Sequence, residues 1–450
     1  MGGFAKSMIS LPWAMSAFGI QQVANLITPG DGKQPTRKVE ESLYSVTQAT
    51  QQQFNDLVWA AFYVGDEVQR DMVNLMFDVL TFKAFSPSYL QRLGSDVAQQ
   101  SMETIRVLTP GKNSQLARQQ LRNNLEVYNL VKHVRELLNI PTEGEFALKE
   151  LVDKAYDLGE YPDLWAVEGL GHEYADHFRG GGEPIRNILT DQKASVLPDK
   201  SLTMMHAGIG LSFAWHLLPT VTPYSPAAKV REMLQEFITL CKENSRKGYT
   251  GAAYESLGLV TRTWHSQMVP TIDKELGEIA PELLGYFWHG AGRALYFLPI
   301  YIAPGVMSPW RAVDREPPHE LGRLNARAGL SWATTVVNVR HPAILENVIR
   351  YHGDQLDENE AFTNGVCSSL IMAWDITPGE SFIADYTKHQ PDASDQQVVE
   401  RWNRLVKKPV EDAIQRYHPV LKAHDRLGEV FRYQHLSELV DRLEKGSRTA

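Results

Sequence analysis

The polar residues best placed to do chemistry are the few stranded in apolar surroundings. His206 stands between Met204-Met205 and Ala207-Gly208-Ile209, and His289 lies between Phe287-Trp288 and Gly290-Ala291. Arg293 follows His289 by one helical turn, inside Gly292-Arg293-Ala294-Leu295-Tyr296-Phe297. Removing a guanidinium from water is costly without a carboxylate partner, so Arg293 requires a buried acid, and Glu168 or Glu255 meets that need. If their helices converge, Glu168, His206, Glu255, His289, Arg293 and Asn364 gather near one axis. Two readings of that set stand. It is a satisfied hydrogen-bond network fixing helix register, or a site where Glu168 or Glu255 acts as acid or base with His206, His289 and Arg293 as polarising partners.

His172-Glu173-Tyr174-Ala175-Asp176 resembles the zinc-peptidase helix pattern with Asp in the second ligand slot. The apolar stripe of that helix runs through Leu164, Val167, Gly171, Tyr174 and Phe178, which leaves His172 and Asp176 off its centre, as in a solvated ion pair. No metal ligand set is assigned. Trp165, Trp215, Trp264, Trp288, Trp332 and Trp374 occur about once per repeat (below), as core packing or as walls of an aromatic cavity. No glycine-rich phosphate loop follows a strand, Gly180-Gly181-Gly182 reads as a flexible turn, and no G-x-S-x-G elbow is present. No cofactor is expected.

These side chains must be positioned by short helices studded with small residues. Val167-Glu168-Gly169-Leu170-Gly171, His206-Ala207-Gly208-Ile209-Gly210, Tyr254-Glu255-Ser256-Leu257-Gly258, Trp288-His289-Gly290-Ala291-Gly292 and Ala326-Arg327-Ala328-Gly329 share one form, and Asn364-Gly365-Val366-Cys367 is a degenerate sixth. Spacings of about 34 to 48 residues are those of stacked helical hairpins. Glycine inside a helix costs about 1 kcal/mol against alanine, so close helix-on-helix approach must offset it. Leu211-Ser212-Phe213-Ala214-Trp215 and Arg293 to Leu298 are apolar on nearly all sides, as in an inner layer, with Pro219 and Pro299 ending two of the helices. Ala227 to Lys242, opened by Ser225-Pro226, carries one stripe, as in an outer layer. The expected fold is all-α: a two-layer helical-repeat array, either an α-solenoid or a closed α/α ring, preceded by a long-helix region.

Three parts are expected: 1–140, the helical-repeat domain 141–385, and capping helices 386–450. In the first, Met8 to Ile27 reads as an amphipathic helix on a protein or lipid surface, interrupted by Pro12, Gln21, Gln22 and Asn25 and therefore not a span. Leu43 through Phe82 repeats at helical spacing for some 40 residues, which suggests an arm along a partner, a second copy included. Asn113 to Ile140 reads as a helix, and Thr142-Glu143-Gly144-Glu145 as a capping box opening a helix through Ala155. Near the end, Ser394-Asp395 opens a helix and Tyr417-His418-Pro419 reads as a break. A net charge of −9 argues against nucleic acid, and two cysteines fit a reducing, cytoplasmic setting, with membrane association through Met8–Ile27 as the alternative.

The segment around Glu168, Met205-His206-Ala207-Gly208-Ile209-Gly210 with Leu217-Leu218-Pro219, Gly248-Tyr249 leading to Glu255, and Gly290-Ala291-Gly292-Arg293-Ala294-Leu295 resemble a bacterial family associated with enediyne polyketide biosynthesis clusters. The resemblance covers about residues 145–385, and Asn364 and Cys367 depart from the family's small residues. It implies a biosynthetic neighbourhood without a reaction. Three functional expectations result. The first is an accessory or binding protein of specialised metabolism, holding a hydrophobic small molecule or docking to a synthase. The second is an enzyme isomerising, cyclising or hydrolysing such a substrate. The third is an assembly or surface-coating protein acting through the long N-terminal helix.

Overall fold

The computed structural model describes residues 112–141, 144–180, 185–192, 194–298 and 309–448. The segments Met8–Ile27 and Leu43–Phe82, expected as helices, and Thr142-Glu143, Gly181-Gly182 and Pro299 lie outside the described residues. From Gln115 onward the described chain belongs to one compact unit. It is all-α, with no strand among the described residues. No helix among them is long and apolar enough to cross a membrane.

The helices are α1 (Lys112–Lys132), α2 (Leu148–Tyr156), α3 (Pro162–Gly180), α4 (Leu202–Leu217), α5 (Ala227–Asn244), α6 (Thr250–Trp264), α7 (Val269–Ile279), α8 (Leu284–Phe297), α9 (Pro309–Arg315), α10 (Glu320–Val337), α11 (Ala343–Leu356), α12 (Ala361–Ile376) and α13 (Ser381–Lys388). The glycine-studded segments fall on α3, α4, α6, α8, α10 and α12, and each of these packs on the next in chain order. Each carries an unbroken buried run, such as Leu202–Gly210 or Gly285–Tyr296, because a helix packed on every side has no solvent face to make polar. The outer helices differ. In α5 only Val230, Met233, Leu234, Phe237, Cys241 and Asn244 are buried, one stripe at steps of three and four.

Glycine permits the inner contacts. A Cβ on Gly258 would stand 1.8 Å from the Phe287 carbonyl oxygen, and one on Gly290 2.0 Å from that of Glu255. Similar crossings join α3 to α4 at Gly171 and Gly208, and α8 to α10 at Gly292 and Gly329. In the sixth segment the contact is made by Gly365 against Ala328, while Cys367 is a buried thiol. The row also turns back on itself. The Tyr161 hydroxyl, just before α3, donates to the Val337 carbonyl at the end of α10 (2.7 Å), and Thr203 on α4 donates to Asp375 on α12 (3.2 Å).

Three local expectations are corrected. The helix expected over Asn113 to Ile140 is interrupted: α1 ends at Lys132 and, after His133, a separate short helix spans Val134–Leu137, while on α1 Asn123 donates to Asn338 (2.9 Å) and Asn124 to the Tyr296 carbonyl (3.1 Å). Gly144 has φ +96°, a turn conformation, so α2 begins only at Leu148, with no side-chain cap. The helix continues through His418-Pro419. α14 (Gln396–Trp402), α15 (Lys408–Asp412) and α16 (His418–Ala423) run on through π-turns at Asn403–Lys407 and Ala413–Tyr417. The Lys408 and His418 amides reach five residues back, to Asn403 and Ala413, immediately before Pro409 and Pro419. The wider turn accommodates a residue that has no N–H to give. Asp395 caps α14 through the Val398 amide, and α17 (Leu436–Arg448) follows. The segment between α16 and α17 lies against the inner row: Gly428 donates to the Gly248 carbonyl (2.6 Å), and Asn325 accepts from the Tyr433 amide (2.7 Å).

Candidate functional site

The convergence of inner helices assembles one buried charged cluster. α8 presents His289 and Arg293 one turn apart, α6 contributes Glu255 and α3 contributes Glu168. Arg293 donates through Nη2 to both Glu168 oxygens (2.7 and 3.0 Å) and through Nη1 to Glu255 Oε2 (3.2 Å). His289 Nδ1 lies 3.1 Å from Glu255 Oε1. A carboxylate only accepts, so Nδ1 carries the proton. The Arg293 guanidinium also stacks over Trp332, 4.7 Å from the ring centroid. All four side chains are at most 2% exposed.

Burial raises the Glu168 pKa above the ordinary carboxylate value, against the pull of Arg293. Burial works against the charge of Arg293 too, but the two carboxylates together outweigh it and raise its pKa. Two nitrogens in the cluster, His289 Nε2 and Arg293 Nε, are buried without a hydrogen-bond partner. A histidine oriented by a carboxylate, with its far nitrogen uncommitted beside a guanidinium, can take up and return a proton. It does so only for a group that reaches the interior.

His206 and Asn364 are held elsewhere. His206 is fully buried, with Nδ1 2.6 Å from the Leu202 carbonyl and Nε2 accepting from the Arg246 amide (2.9 Å), and it stacks on Tyr249. Both ring nitrogens are therefore used on backbone, which makes it a neutral tie between α4 and the loop before α6. Burial depresses its pKa to about 4. Asn364 donates to the Gln434 carbonyl (2.6 Å), fastening α12 to the C-terminal segment.

The tryptophans divide by environment. Trp165, Trp288 and Trp332 are fully buried, and Trp288 Nε1 donates to Asp273 (2.6 Å). Trp374 is partly buried against the core. Trp215 and Trp264 are 43% and 40% exposed and meet edge to face, with centroids 4.9 Å apart. The structure thus does not gather the six around one space. Asp176 accepts from Ser212 (2.5 Å) and pairs with His216 (3.0 Å), while His172 stands 3.9 Å away. Among the described residues no group of three or more His, Cys, Asp or Glu side chains is placed to hold a metal ion.

Sequence reasoning missed several buried carboxylates. Asp375 accepts from Thr203, His418 (2.9 Å) and Lys422 (2.7 Å). Burial pushes its pKa up, but the hydrogen bonds from His418 and Lys422 bring it below the usual value. Glu346 binds Arg350 (2.6 Å) and His389 (3.0 Å). Asp273 serves Trp288 and His319, whose other nitrogen caps α10 at Gly322. Asp375 has the signal that singled out Arg293, a charge inside Met372-Ala373-Trp374-Asp375-Ile376. No protein-family model, no curated protein and no solved structure matches the chain.

Proposed function

We propose that this chain is a binding protein of specialised metabolism whose helical body holds a hydrophobic, polyketide-like small molecule. The enediyne-associated resemblance supplies the setting. The observation that carries the reading is the Trp215–Trp264 pair, two large aromatic rings left in contact with solvent on adjacent inner helices. Rigid aromatic faces suit a conjugated or long apolar chain. The polar His216–Asp176 pair begins one residue from Trp215, so the apolar patch is narrow. A stable protein interface needs about 800 Å² per partner, which favours a small molecule over a synthase surface.

The test titrates the full chain with cis-parinaric acid, a conjugated polyene, reading indole quenching. Saturable binding that weakens at least about tenfold in the double variant Trp215→Ala/Trp264→Ala is expected. Equal affinity in the variant, or no saturable binding by the native chain, defeats the reading. A second reading, acid–base isomerisation or cyclisation by the central cluster, is favoured by His289 Nε2 standing uncommitted while Nδ1 is held by Glu255. Under it, the bound polyene's absorbance decays with time.

A further inference from the structure

The segment that joins α16 to α17, Leu427 to His435, is a strap laid across the N-terminal halves of inner helices. The Gly428 amide donates to the Gly248 carbonyl at the entry to α6 (2.6 Å), and the Tyr433 amide donates to Asn325 Oδ1 on α10 (2.7 Å). The Gln434 carbonyl accepts from Asn364 on α12 (2.6 Å). At its two ends exposed ion pairs join Asp425 to Lys247 (3.0 Å) and His435 to Glu360 (2.7 Å), contacts of little weight in water.

The buried acid of the strap travels with its own partners. Glu429 accepts from Arg426 (3.1 Å), Arg432 (2.8 Å) and Gln434 (3.1 Å), all within five residues, and on the inner side meets the Tyr286 hydroxyl at 3.5 Å. Lifting the strap therefore strands no charge in the interior, which is what makes a buried ion pair costly to break. The burial of Leu427, Val430 and Phe431 holds it down.

Phe431 stands one ring away from the central cluster. Its centroid lies 6.0 Å from that of Trp332. Trp332 in turn meets His289 edge-on at 6.3 Å and carries the Arg293 guanidinium 4.7 Å from its own centroid. Three nitrogens of that group, His289 Nε2, Arg293 Nε and Trp332 Nε1, are buried without a hydrogen-bond partner. The first is an acceptor and the other two are donors, a set complementary to a small carbonyl or hydroxyl compound.

We propose that this strap is a gate, which lifts as a unit and admits small carbonyl compounds to His289. Asp425, with φ +54° in the left-handed region, marks the hinge on the α16 side. The gate stands independently of what the chain binds at Trp215 and Trp264.

Diethyl pyrocarbonate, a small carbonyl compound that acylates an uncommitted imidazole nitrogen, tests the gate on the full chain, with peptide mass spectrometry reading each histidine. His289 is fully buried, so it reacts through opening, while His206, equally buried with both nitrogens held on backbone, reports global unfolding. In the native chain His289 should react at least about tenfold faster than His206. The double variant Asn325→Ala/Asn364→Ala removes two of the ties and should speed His289 about tenfold further, with His206 still slow. Hydrogen–deuterium exchange of the native chain gives a reading that needs no variant. After correction for intrinsic rates, peptides over 426–435 should exchange at least about tenfold faster than those over 284–297. Equal rates at the two histidines, an unchanged His289 rate in the variant, or equal exchange of the strap and α8 overturns the proposal.

Discussion

Replacing Gly258 by alanine tests the packing that assembles the central cluster. The added Cβ would lie 1.8 Å from the Phe287 carbonyl oxygen, whereas ordinary contact begins near 3.4 Å. The obstacle is backbone and cannot rotate away, so α6 and α8 must separate by more than an ångström. Overpacking of this kind costs about 1–3 kcal/mol or more, and the helix preference for alanine returns only about 1 kcal/mol. Separation also lengthens the contacts of Glu255 with His289 and Arg293, so the expected net loss is about 2 kcal/mol or more. Gly277 in outer helix α7 is the internal control. A Cβ there meets only the Leu284 side chain, at 3.6 Å, and Gly277→Ala should gain up to about 1 kcal/mol. Urea unfolding of the two variants reads the difference. Equal midpoints, or a Gly258→Ala protein as stable as the native one, would refute the claim that glycine is required for the inner crossings.

Arg293→Met should destabilise by about 3–5 kcal/mol in the same assay, because it leaves Glu168 and Glu255 facing each other in the interior, and Arg293→Lys should recover only part of this. A loss under 1 kcal/mol would show that the cluster is not held by its cation. Acid weakens the fold through His206. His206 is buried neutral, with its pKa depressed to about 4, while the unfolded residue titrates near 6.5. Its contribution to stability is fully present above pH 6.5, declines as pH falls and levels off near pH 4, a loss of up to about 3 kcal/mol. A stability–pH curve less steep over that window in His206→Asn checks it.

The small-residue segments, the apolar C-terminal half of α8 and the single stripe of α5 were legible from residue type and spacing, because inner and outer helices differ in how many faces they bury; in α4 the expected absence of a solvent face fails at Trp215, which is 43% exposed. So was the need for Arg293 to pair with Glu168 or Glu255, since a lone guanidinium in an apolar helix dictates that an acid be found; the structure supplies both. Local chemistry also misled. Thr142 to Glu145 has the composition of a capping box, yet Gly144 adopts a turn. Pro419 is a helix breaker in isolation, yet a π-turn before it lets the helix continue.

Sequence alone determined the helix class, the layer each helix occupies and the demand for charge pairing, all of which follow from periodicity and desolvation within a few turns of chain. Tertiary structure alone decided which buried polar groups meet. His206 and His289 stand in equally apolar helices, but only the rotation of α8 toward α3 and α6 carries His289 to the carboxylates, while the loop before α6 takes both nitrogens of His206. The same is true of Trp215 and Trp264, whose exposure depends on where neighbouring helices end. Contacts between residues tens to more than a hundred positions apart are set by helix rotation and crossing, quantities that no local pattern records.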